Sequence, residues 1–499
     1  MSEKANKVRI GLRVYSDTSW MGGVHYVLNW VKALNFLPAE EKPEVYLIFY
    51  NEPGSFDMLS FQIAKKHAHH AKAIRPITDV PKLNLDLFYP VTNIFEAPFD
   101  APWAGWIPDW QCKYLPEMFD EFEIARRDHH FRLLTKEAPF LVLSSQMAYD
   151  DTRRIVGENL VPMEKLPFPA VLDEYRFDEN DIRDALARHR VPSRFFLVCN
   201  KFWKHKNHLV IFKALAKLSD PSIICVFTGD TTDHRWPEYF EQIKTHISNN
   251  NLPSSIRLLG QISREDQLKL MQASLAVIQP SRFEGWSTVV EEAKALNKTL
   301  ILSKFSVHLE QAPKGSRFFD PDDDEELAGL INELWNSHPS DPADLANKDH
   351  QDTHKQYIIE CARQFVNVAK KTRENYDPFK HDINLILLRF LNRIKIEENN
   401  SVQHQVYKWS VDKTIAKFRK EPIERVFKFR ELCLKYLPDF FPTAENLIIS
   451  AVLAKHSANE LYLYLKNTKQ LSTKNEFLYL FKNIFSFLKR SIISCKKNV

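Results

Sequence analysis

Glycine is scarce in this chain, with only eleven among 499 residues. The chain contains neither the G-x-G-x-x-G pattern of dinucleotide-binding proteins nor the G-x-x-x-x-G-K-S/T pattern of P-loop proteins. Those folds use their glycines to bring backbone amides close to phosphate groups. The two absences therefore argue against a dinucleotide-dependent dehydrogenase and against a P-loop enzyme.

Cysteine and long apolar runs are limited as well. The first twelve residues, MSEKANKVRIGL, lack the apolar core of a signal peptide, and no run reaches the roughly 18 apolar residues that a membrane span needs. The six cysteines show no paired spacing. They are Cys112, Cys199, Cys225, Cys361, Cys433 and Cys495. We therefore expect a cytoplasmic protein in a reducing compartment.

Positive and negative charges nearly balance over the whole chain, but they are distributed unevenly along the sequence. The formal net charge is +4, whereas residues 376–499 alone hold 22 Lys and Arg against 12 Asp and Glu. That segment carries +10 and leaves −6 on the rest of the chain. The overall field of the body does not favour nucleic acid, while the basic segment favours an anionic surface.

Short β-branched and aromatic runs alternate with helix-like segments, which is typical of α/β folds with parallel sheets. Residues 166–186 interrupt the alternation with prolines and acidic residues, so we interpret them as an interdomain linker. The sequence predicts two Rossmann-like domains facing a cleft, residues 1–172 and 173–376, and a basic α-helical extension, residues 377–499. The predicted strands are VRIGLRVY, VYLIFY, PFLVLSS, RFFLVCN, SIICVFTG, IRLLG, SLAVIQP and TLILS.

Two carboxylates, Glu284 and Glu292, lie eight positions apart in SRFEGWSTVVEEAKAL. The preceding run SLAVIQP predicts a buried strand, Gly285 a turn, and Thr288 the start of a helix. Thr288 and Glu291 have capping-box spacing, so we expect Thr288 to be the N-cap. Glu284 and Glu292 can then face the loop at the carboxyl end of the strand, where open parallel sheets bind ligands. The alternative is that these acids only complement the helix dipole.

Three lysines follow the predicted strand RFFLVCN, in the loop before the next helix: Lys201, Lys204 and Lys206. Lysines beside a helix N-terminus form an anion site, and their charge can stabilise a diphosphate leaving group without a metal. The alternative is a solvated basic loop. His205 and His208 have the spacing of a metal-binding pair, but the neighbouring lysines disfavour a bound cation.

Two other segments contain candidate ligand contacts. Gly22 and Gly23 open an amphipathic helix after the first strand, where paired glycines let backbone amides point at an anion. A packed turn is the alternative. Asp109 lies among tryptophans in WAGWIPDWQCKYLPEMF, which we interpret as an aromatic-rich loop. The carboxylate and the rings would bind sugar hydroxyls and apolar sugar faces; alternatively, the rings fill the gap between the domains.

Taken together, these elements resemble the retaining GT-B glycosyltransferases of family 4, also called group 1. The most specific element is the E-x7-E pattern of Glu284 and Glu292, between RLLGQISREDQLKLMQASLAVIQPSRF and KTLILSKFSVHLEQ. In that family the first glutamate lies against the donor sugar, the second holds the nucleotide ribose, and two basic residues five positions apart bind the diphosphate. The resemblance implies the diphosphate role for Lys201 and Lys206, and it covers about residues 8–376.

The resemblance also implies roles for residues around these. The glycine-rich loop of the family corresponds to Gly22 and Gly23. Asp109 retains half of the His-Asp pair that many members have, and it is a candidate catalytic residue. The loop after Glu284 differs from the commoner Phe-Gly-Leu-Pro, and it is expected to line the donor pocket with Gly285, Trp286, Ser287 and Thr288.

This resemblance implies a metal-independent, retaining hexosyltransferase without a cofactor. Such an enzyme moves a sugar from a nucleotide sugar to a glycan or lipid-linked glycan, in surface polysaccharide or glycoconjugate biosynthesis. The leaving diphosphate would assist the incoming hydroxyl on the same face of the sugar. Two alternatives stay open, a catalytically silent GT-B partner or scaffold subunit and a GT-B nucleotide-sugar epimerase.

The end of the basic extension has an amphipathic pattern. In FLYLFKNIFSFLKRSIISCKK, five apolar residues form one helical stripe, with lysine, arginine and serine away from it. The pattern is typical of a helix docked on its own domain and also of a helix lying in a membrane surface. Its charge favours peripheral binding at an anionic inner membrane face, where a lipid-linked acceptor would lie.

Overall fold

The computed structural model describes most of the chain up to residue 381. The described residues are 7–14, 21–49, 66, 68, 70–73, 80–94, 97–98, 101–173, 175–218, 220–250, 252–337, 348–378, 380–381 and 405. The predicted amphipathic stripe and nearly all of the basic extension lie outside these residues. Within them, no helix is both long and apolar enough to cross a membrane.

The first domain is built on a parallel sheet with the strand order β3-β2-β1-β4-β5-β6-β7. The first six positions follow the Rossmann order, in which the chain reverses direction across the sheet between β1 and β4. The strands are β1 (Arg9–Val14), β2 (Glu44–Phe49), β3 (His70–Ala73), β4 (Leu87–Val91), β5 (Trp103–Ile107), β6 (Phe140–Leu143) and β7 (Met163–Lys165).

Helices cover this sheet, and polar side chains fix where they begin. The Asp120 carboxylate accepts a hydrogen bond from the Glu123 amide at 2.7 Å, and the Ser145 hydroxyl accepts one from the Ala148 amide at 3.1 Å. The described helices of this domain are α1 (Met21–Leu34), α2 (Gln111–Tyr114), α3 (Glu121–Glu137) and α4 (Gln146–Val156), with 3-10 turns at Val80–Leu83 and Pro116–Met118.

The second domain repeats the plan with a parallel sheet in the order β10-β9-β8-β11-β12-β13. Its strands are β8 (Phe196–Cys199), β9 (Cys225–Thr228), β10 (Ile256–Gly260), β11 (Ala276–Gln279), β12 (Leu300–Ser303) and β13 (Arg317–Phe319). Its helices are α5 (Glu179–His189), α6 (His208–Ala216), α7 (Tyr239–Asn249), α8 (Arg264–Ala273), α9 (Thr288–Ala295), α10 (Ser306–Gln311) and α11 (Asp324–Ser337), with 3-10 turns at Lys204–Lys206 and Pro253–Ser255.

The last described helix, α12 (Lys348–Asn375), returns to the first domain. Phe365 of this helix stacks on Trp30 of α1 with ring centroids 4.5 Å apart, and both side chains are fully buried in the core of the first sheet. The chain therefore crosses between the domains twice, although the sequence assigns residues up to 376 to the second domain. In the first crossing, residues 166–173 and 175–178 form no helix or strand, and the predicted linker is shorter than expected because α5 begins at Glu179.

All eight strands predicted from apolar runs are present. The interpretation of the segment around Asp109 as an aromatic-rich loop is wrong for its first half, which is β5. The rings of Trp103, Trp106 and Trp110 are all at least 97% buried in the first domain's cores, so they neither cover a sugar nor fill the gap between domains. The strand is buried on both faces, and its small, aromatic and aliphatic residues satisfy that burial without the alternation that marks half-exposed strands.

Candidate functional site

Two loops of the second domain meet because their strands are neighbours. β8 and β11 pair at the centre of the second sheet, where the chain reverses direction, and their carboxyl ends lead into residues 200–207 and 280–287. In open α/β sheets this point forms a ligand-binding crevice. It places the Lys206 Nζ 2.6 Å from the Glu284 Oε1 although the residues are 78 positions apart in the chain.

Glu284 is a charged carboxylate held from two sides. Its side chain is 10% exposed, that of Lys206 is 16% exposed, and the Gln279 Nε2 donates a hydrogen bond to its Oε1 at 2.9 Å. Burial raises the pKa of Glu284, but the Lys206 ammonium outweighs burial and holds the pKa below its ordinary value. The carboxylate is therefore ready to accept hydrogen bonds from hydroxyl groups.

Gln279, the last residue of β11, organises this turn. Its fully buried amide donates to the Ser287 hydroxyl at 3.2 Å, and its carbonyl oxygen accepts from the Asn200 amide at 2.6 Å. The two loops are thus joined by side-chain hydrogen bonds as well as by the Lys206–Glu284 pair. Preorganisation of this kind lowers the cost of holding a ligand in one orientation.

Glu292, the second carboxylate of the pattern, has one oxygen paired and one without a partner. The Arg264 Nη2 donates to its Oε1 at 2.6 Å, while the side chain is 2% exposed. Its Oε2 has no hydrogen-bond partner among the residues that the structure describes. A buried carboxylate oxygen without a donor is costly, so this atom is a candidate acceptor for a ligand hydroxyl.

The start of α9 differs from the prediction by one residue. Ser287, not Thr288, is the N-cap, and its hydroxyl accepts from the Val290 amide. The predicted capping box is therefore wrong, because the third helical position is Val290. Glu291 instead lies fully buried, where its Oε1 accepts from the Lys294 Nζ at 2.8 Å and from the Gln311 Nε2 at 2.9 Å.

Gly285 is where the two domains come closest at this site. A Cβ atom on Gly285 would lie 2.7 Å from the Pro108 carbonyl oxygen and 2.9 Å from the Asp109 Oδ2. No real Cβ tolerates such distances, so this approach requires glycine. The loop after β5 of the first domain therefore lies directly against the loop that carries Glu284.

Asp109 thus lies beside the loop that carries Glu284, and its catalytic role stays a prediction. Burial raises the pKa of Asp109 above its ordinary value and the Glu284 charge adds to this, while Arg127 and Arg235 act in the opposite direction. Its Oδ1 accepts from the Gln111 amide at 2.9 Å, which fixes the side chain at the start of α2.

The residues that follow Gly285 in this loop contact other parts of the protein. The Trp286 indole points into the first domain, where its Nε1 donates to the Phe168 carbonyl at 3.1 Å and the ring packs on the first core. The Ser287 amide donates to the Gln311 Oε1 at 3.1 Å, and Thr288 is the first residue of α9. Trp286 and Ser287 therefore make interdomain and helix-capping contacts, and donor binding by this loop stays a prediction.

Gly22 and Gly23 lie in the first turn of α1, as predicted, although the loop before them lies outside the described residues. One turn further, burial lowers the pKa of His25 to about 3, and the charge of Arg264 contributes. The charge of Arg264 therefore reaches the start of α1 from the second domain.

The basic loop is arranged around aromatic rings. The Lys201 Nζ lies 5.4 Å from the centroid of the Trp203 ring, and the Lys204 Nζ lies 3.0 Å from that of Trp236. His208 is completely buried and stacks on Phe202 at 4.1 Å, which is the packing of a core histidine. Among the described residues, no group of three or more His, Cys, Asp or Glu side chains is placed to hold a metal ion.

Sequence reasoning missed Arg264, Gln279 and Gln311. Gln279 could have been singled out as a polar side chain ending an apolar strand, and Arg264 as the first residue of a helix after a strand that ends in glycine. Gln311 has no such signal, because it reaches the site from α10 through tertiary packing.

Comparison with known proteins agrees with this architecture. Residues 181–351 match the model of the family Glycosyl transferases group 1. The O-antigen chain mannosyltransferase RfbU of Salmonella typhimurium is 24% identical over 140 residues, which cover 28% of this chain and 38% of RfbU. The match thus spans well under half of that relative.

Solved structures match over a larger part of the chain. HepE of Anabaena in complex with UDP has a TM-score of 0.54 at 17% identity, covering 72% of this chain and 98% of HepE. Sucrose-phosphate synthase of Thermosynechococcus elongatus has a TM-score of 0.51 at 14% identity, covering 72% of this chain and 97% of that chain. The chain therefore has the GT-B fold, with a segment in its second domain that matches Glycosyl transferases group 1.

Proposed function

We propose that this protein is a retaining glycosyltransferase of family 4. It transfers a hexosyl group from a nucleotide sugar to a glycan or lipid-linked glycan, in surface polysaccharide or glycoconjugate biosynthesis. The family match over residues 181–351 and the GT-B fold support glycosyl transfer. The finer statements are supported by the side chains at the carboxyl end of the second sheet.

The observation that carries the proposal is the arrangement of the two glutamates. Glu292 is buried and Glu284 is largely buried, each contacts one cation, and Glu292 keeps one oxygen without a partner among the described residues. A nucleotide sugar has the complementary groups, because its ribose hydroxyls can donate to Glu292 and its sugar hydroxyls to Glu284. Its diphosphate would then lie at Lys206, with Lys201 in the same loop.

The reaction follows from this placement. The bond between the sugar C1 and the diphosphate oxygen breaks, the acceptor oxygen bonds to C1 on the same face, and the acceptor proton passes to the leaving diphosphate. Lys201 and Lys206 stabilise the charge that grows on the leaving group, so we propose that no divalent metal is required. Asp109 approaches from the first domain and orients the acceptor hydroxyl.

Donor binding is the most direct test. We would measure thermal unfolding in EDTA with UDP-, GDP-, ADP- and TDP-sugars, for the unmodified protein and for Glu292→Ala. UDP-glucose is tried first because HepE was solved with it. Ligand at about 100 times its Kd stabilises a protein by roughly 2.7 kcal/mol, which corresponds to a shift of a few degrees.

We expect a shift with sugars of one base and its loss in Glu292→Ala. Because that substitution leaves Arg264 without its carboxylate, Glu292→Gln is measured in parallel, and Glu265→Ala, whose side chain is 58% exposed, is the matched control. A folded protein that no nucleotide sugar stabilises would contradict the proposal. A donor that binds only when a divalent metal is added would contradict its metal-independent part.

A further inference from the structure

A second cationic cluster spans the cleft beside the proposed donor site. Arg127 of α3 belongs to the first domain, and Arg235 belongs to the loop between β9 and α7 of the second. Both guanidinium groups lie over the ring of Phe119, with the Cζ atoms 4.8 Å and 4.3 Å from its centroid. The two guanidinium groups, one from each domain, therefore contact the same ring.

The two arginines differ in their pairing, and the charges of Asp109, Glu123 and Asp233 also act on Arg235. The Arg127 Nε donates to the Glu123 Oε1 at 2.7 Å, but Glu123 is shared with Arg126. Arg235 forms no ion pair with a carboxylate in the described part of the chain, and its guanidinium contacts aromatic rings instead. Burial lowers the pKa of Arg235 below its ordinary value, and the charge of Arg127 lowers it further.

The cluster borders the reacting groups rather than a remote surface. Arg127 and Arg235 both act on the pKa of Asp109, which lies against Gly285 at the cleft. The Arg235 Cζ is also 5.8 Å from the ring of Trp203, which the Lys201 ammonium approaches from the proposed diphosphate side. Arg235 thus lies near both Asp109 and the basic loop.

A purely structural role explains this arrangement poorly. Arg235 forms no ion pair with a described first-domain carboxylate; Asp109 and Glu123 act on its charge, but the Arg127 guanidinium acts on it more strongly. Like charges at an interface oppose its closure. An anion between them would remove the repulsion and be held by two planar forks of N–H donors, the geometry that favours phosphate oxygens.

We propose that Arg127 and Arg235 bind a phosphate group of the acceptor, so that the acceptor substrate is a phosphorylated sugar or a phosphorylated lipid. The inference rests on the proposed function, because it assigns the acceptor of the same transfer. The phosphate contacts one arginine from each domain, and the acceptor hydroxyl lies towards Asp109. Acceptor binding then favours the closed arrangement of the two domains.

The test measures acceptor binding with the donor side filled. The protein is saturated with the nucleoside diphosphate of the donor found above and titrated calorimetrically with glucose 1-phosphate, glucose and glucuronate. Dihexanoyl phosphatidic acid, below its micellar concentration, represents a lipid phosphate. The variants are Arg235→Gln, Arg127→Gln and Arg235→Lys, and the control is Arg317→Gln, an exposed arginine on β13 at the far edge of the second sheet.

We expect one of the two phosphate probes to bind the unmodified protein at least tenfold more tightly than glucose or glucuronate, which identifies the sugar or lipid source. Arg235→Gln and Arg127→Gln should each weaken it about tenfold or more, and Arg235→Lys by less. Arg317→Gln and nucleotide binding should stay unchanged. Thermal unfolding without ligand shows that each variant is folded.

Three results would overturn the inference. The first is that Arg235→Gln binds the phosphate probe as tightly as the unmodified protein does. The second is that glucuronate and glucose 1-phosphate bind equally well. The third is that Arg235→Gln loses nucleotide binding, which would mean that Arg235 contacts the donor. Repeating the titration without nucleotide separates the two proposals. If no nucleotide binds, the proposed function fails, whereas the phosphate titration still decides whether the arginines form an anion site.

Discussion

The two domains have matching strand orders but different chemistry at the points where their chains reverse direction. In the second sheet, the carboxyl ends of β8 and β11 carry charge, with Glu284 and Lys206 in contact. In the first sheet, where the loop after β1 lies outside the described residues, aromatic side chains pack around β1 and β4. Trp106 stacks on Tyr26 at 4.1 Å, and the Tyr26 hydroxyl is hydrogen-bonded to that of Tyr89.

The difference shows that topology supplies a place for a ligand but not its chemistry. Both sheets place loops at the same relative position, because parallel strands in this order always bring the ends of the two central strands together. The second domain puts paired charges there, which suits a nucleotide diphosphate, and the described part of the first contributes the Asp109 carboxylate through a neighbouring strand. We infer that the second domain carries the donor and the first carries part of the acceptor contacts.

We expect the largest effect from Lys206→Ala, which removes the ammonium group that contacts Glu284 in the second domain. The leaving diphosphate would lose its charge partner, and we expect the transfer rate to fall roughly 10²- to 10³-fold. Glu284 would also remain buried without its ammonium, so the protein should lose about 3–5 kcal/mol of stability. Initial rates of sugar transfer and urea unfolding would measure the two effects.

Lys213→Ala is the matched control, since Lys213 is exposed on α6 of the same domain. It should change neither the rate nor the stability by much. If Lys206→Ala keeps the rate of the unmodified protein, the charged pair at the carboxyl ends of β8 and β11 does not contribute to catalysis, and the difference between the two domains does not explain the reaction.

A smaller effect is expected where the two domains touch, on replacing Gly285 by alanine. The added Cβ would need to lie 2.7 Å from the Pro108 carbonyl oxygen, so the loops must separate. A displacement of about 1 Å at reacting groups can cost roughly 100-fold in rate. We expect a loss of that size in transfer rate, with nucleotide binding retained because Glu292 and Lys206 stay in place.

Gly329→Ala controls for the change of residue type, because a Cβ on Gly329 of α11 meets nothing within 4 Å. Its transfer rate should equal that of the unmodified protein. Unchanged transfer by Gly285→Ala would mean that contact between the domains at this loop is not needed for the reaction.

The smallest effect concerns a buried lysine that, unlike Lys206, has no carboxylate partner among the described residues. Lys298 is 7% exposed, its Nζ donates to the Gln272 carbonyl at 3.0 Å, and burial lowers its pKa to about 8. Because the unfolded chain then binds more protons between about pH 8 and pH 10.5, stability rises with pH through that window. The pKa difference corresponds to about 3 kcal/mol at pH 7, and Lys298→Met also removes the hydrogen bond to the Gln272 carbonyl, so a net stabilisation of about 2 kcal/mol is expected.

The stabilisation by Lys298→Met should be smaller at pH 10, because the folded protein no longer buries a charged ammonium at this site. Urea unfolding of both proteins at pH 7 and pH 10 measures it, and Lys244→Met, at a half-exposed position on α7, is the control. An equal gain at both pH values would show that side-chain packing, and not charge burial, causes the effect.

Much of the fold follows from local sequence patterns. Apolar runs bounded by polar residues mark buried parallel strands, and β8, β9, β11 and β12 lie where such runs predict them. The runs fail for β5, where tryptophans beside proline resemble an exposed loop. The start of α9 is displaced by one residue because Ser287 and Thr288 are both acceptable N-caps, and only contacts with Gln279 and Gln311 select the serine.

The sequence by itself determined the alternation of strands and helices, the charge difference between body and extension, and the presence of two glutamates after one buried strand. The tertiary structure decided which cation each glutamate meets, since Lys206 and Arg264 are brought in by neighbouring strands and helices. It also placed Asp109 against Gly285 and Arg127 beside Arg235. These contacts join residues distant in the chain, and local periodicity carries no information about which distant segments pack together.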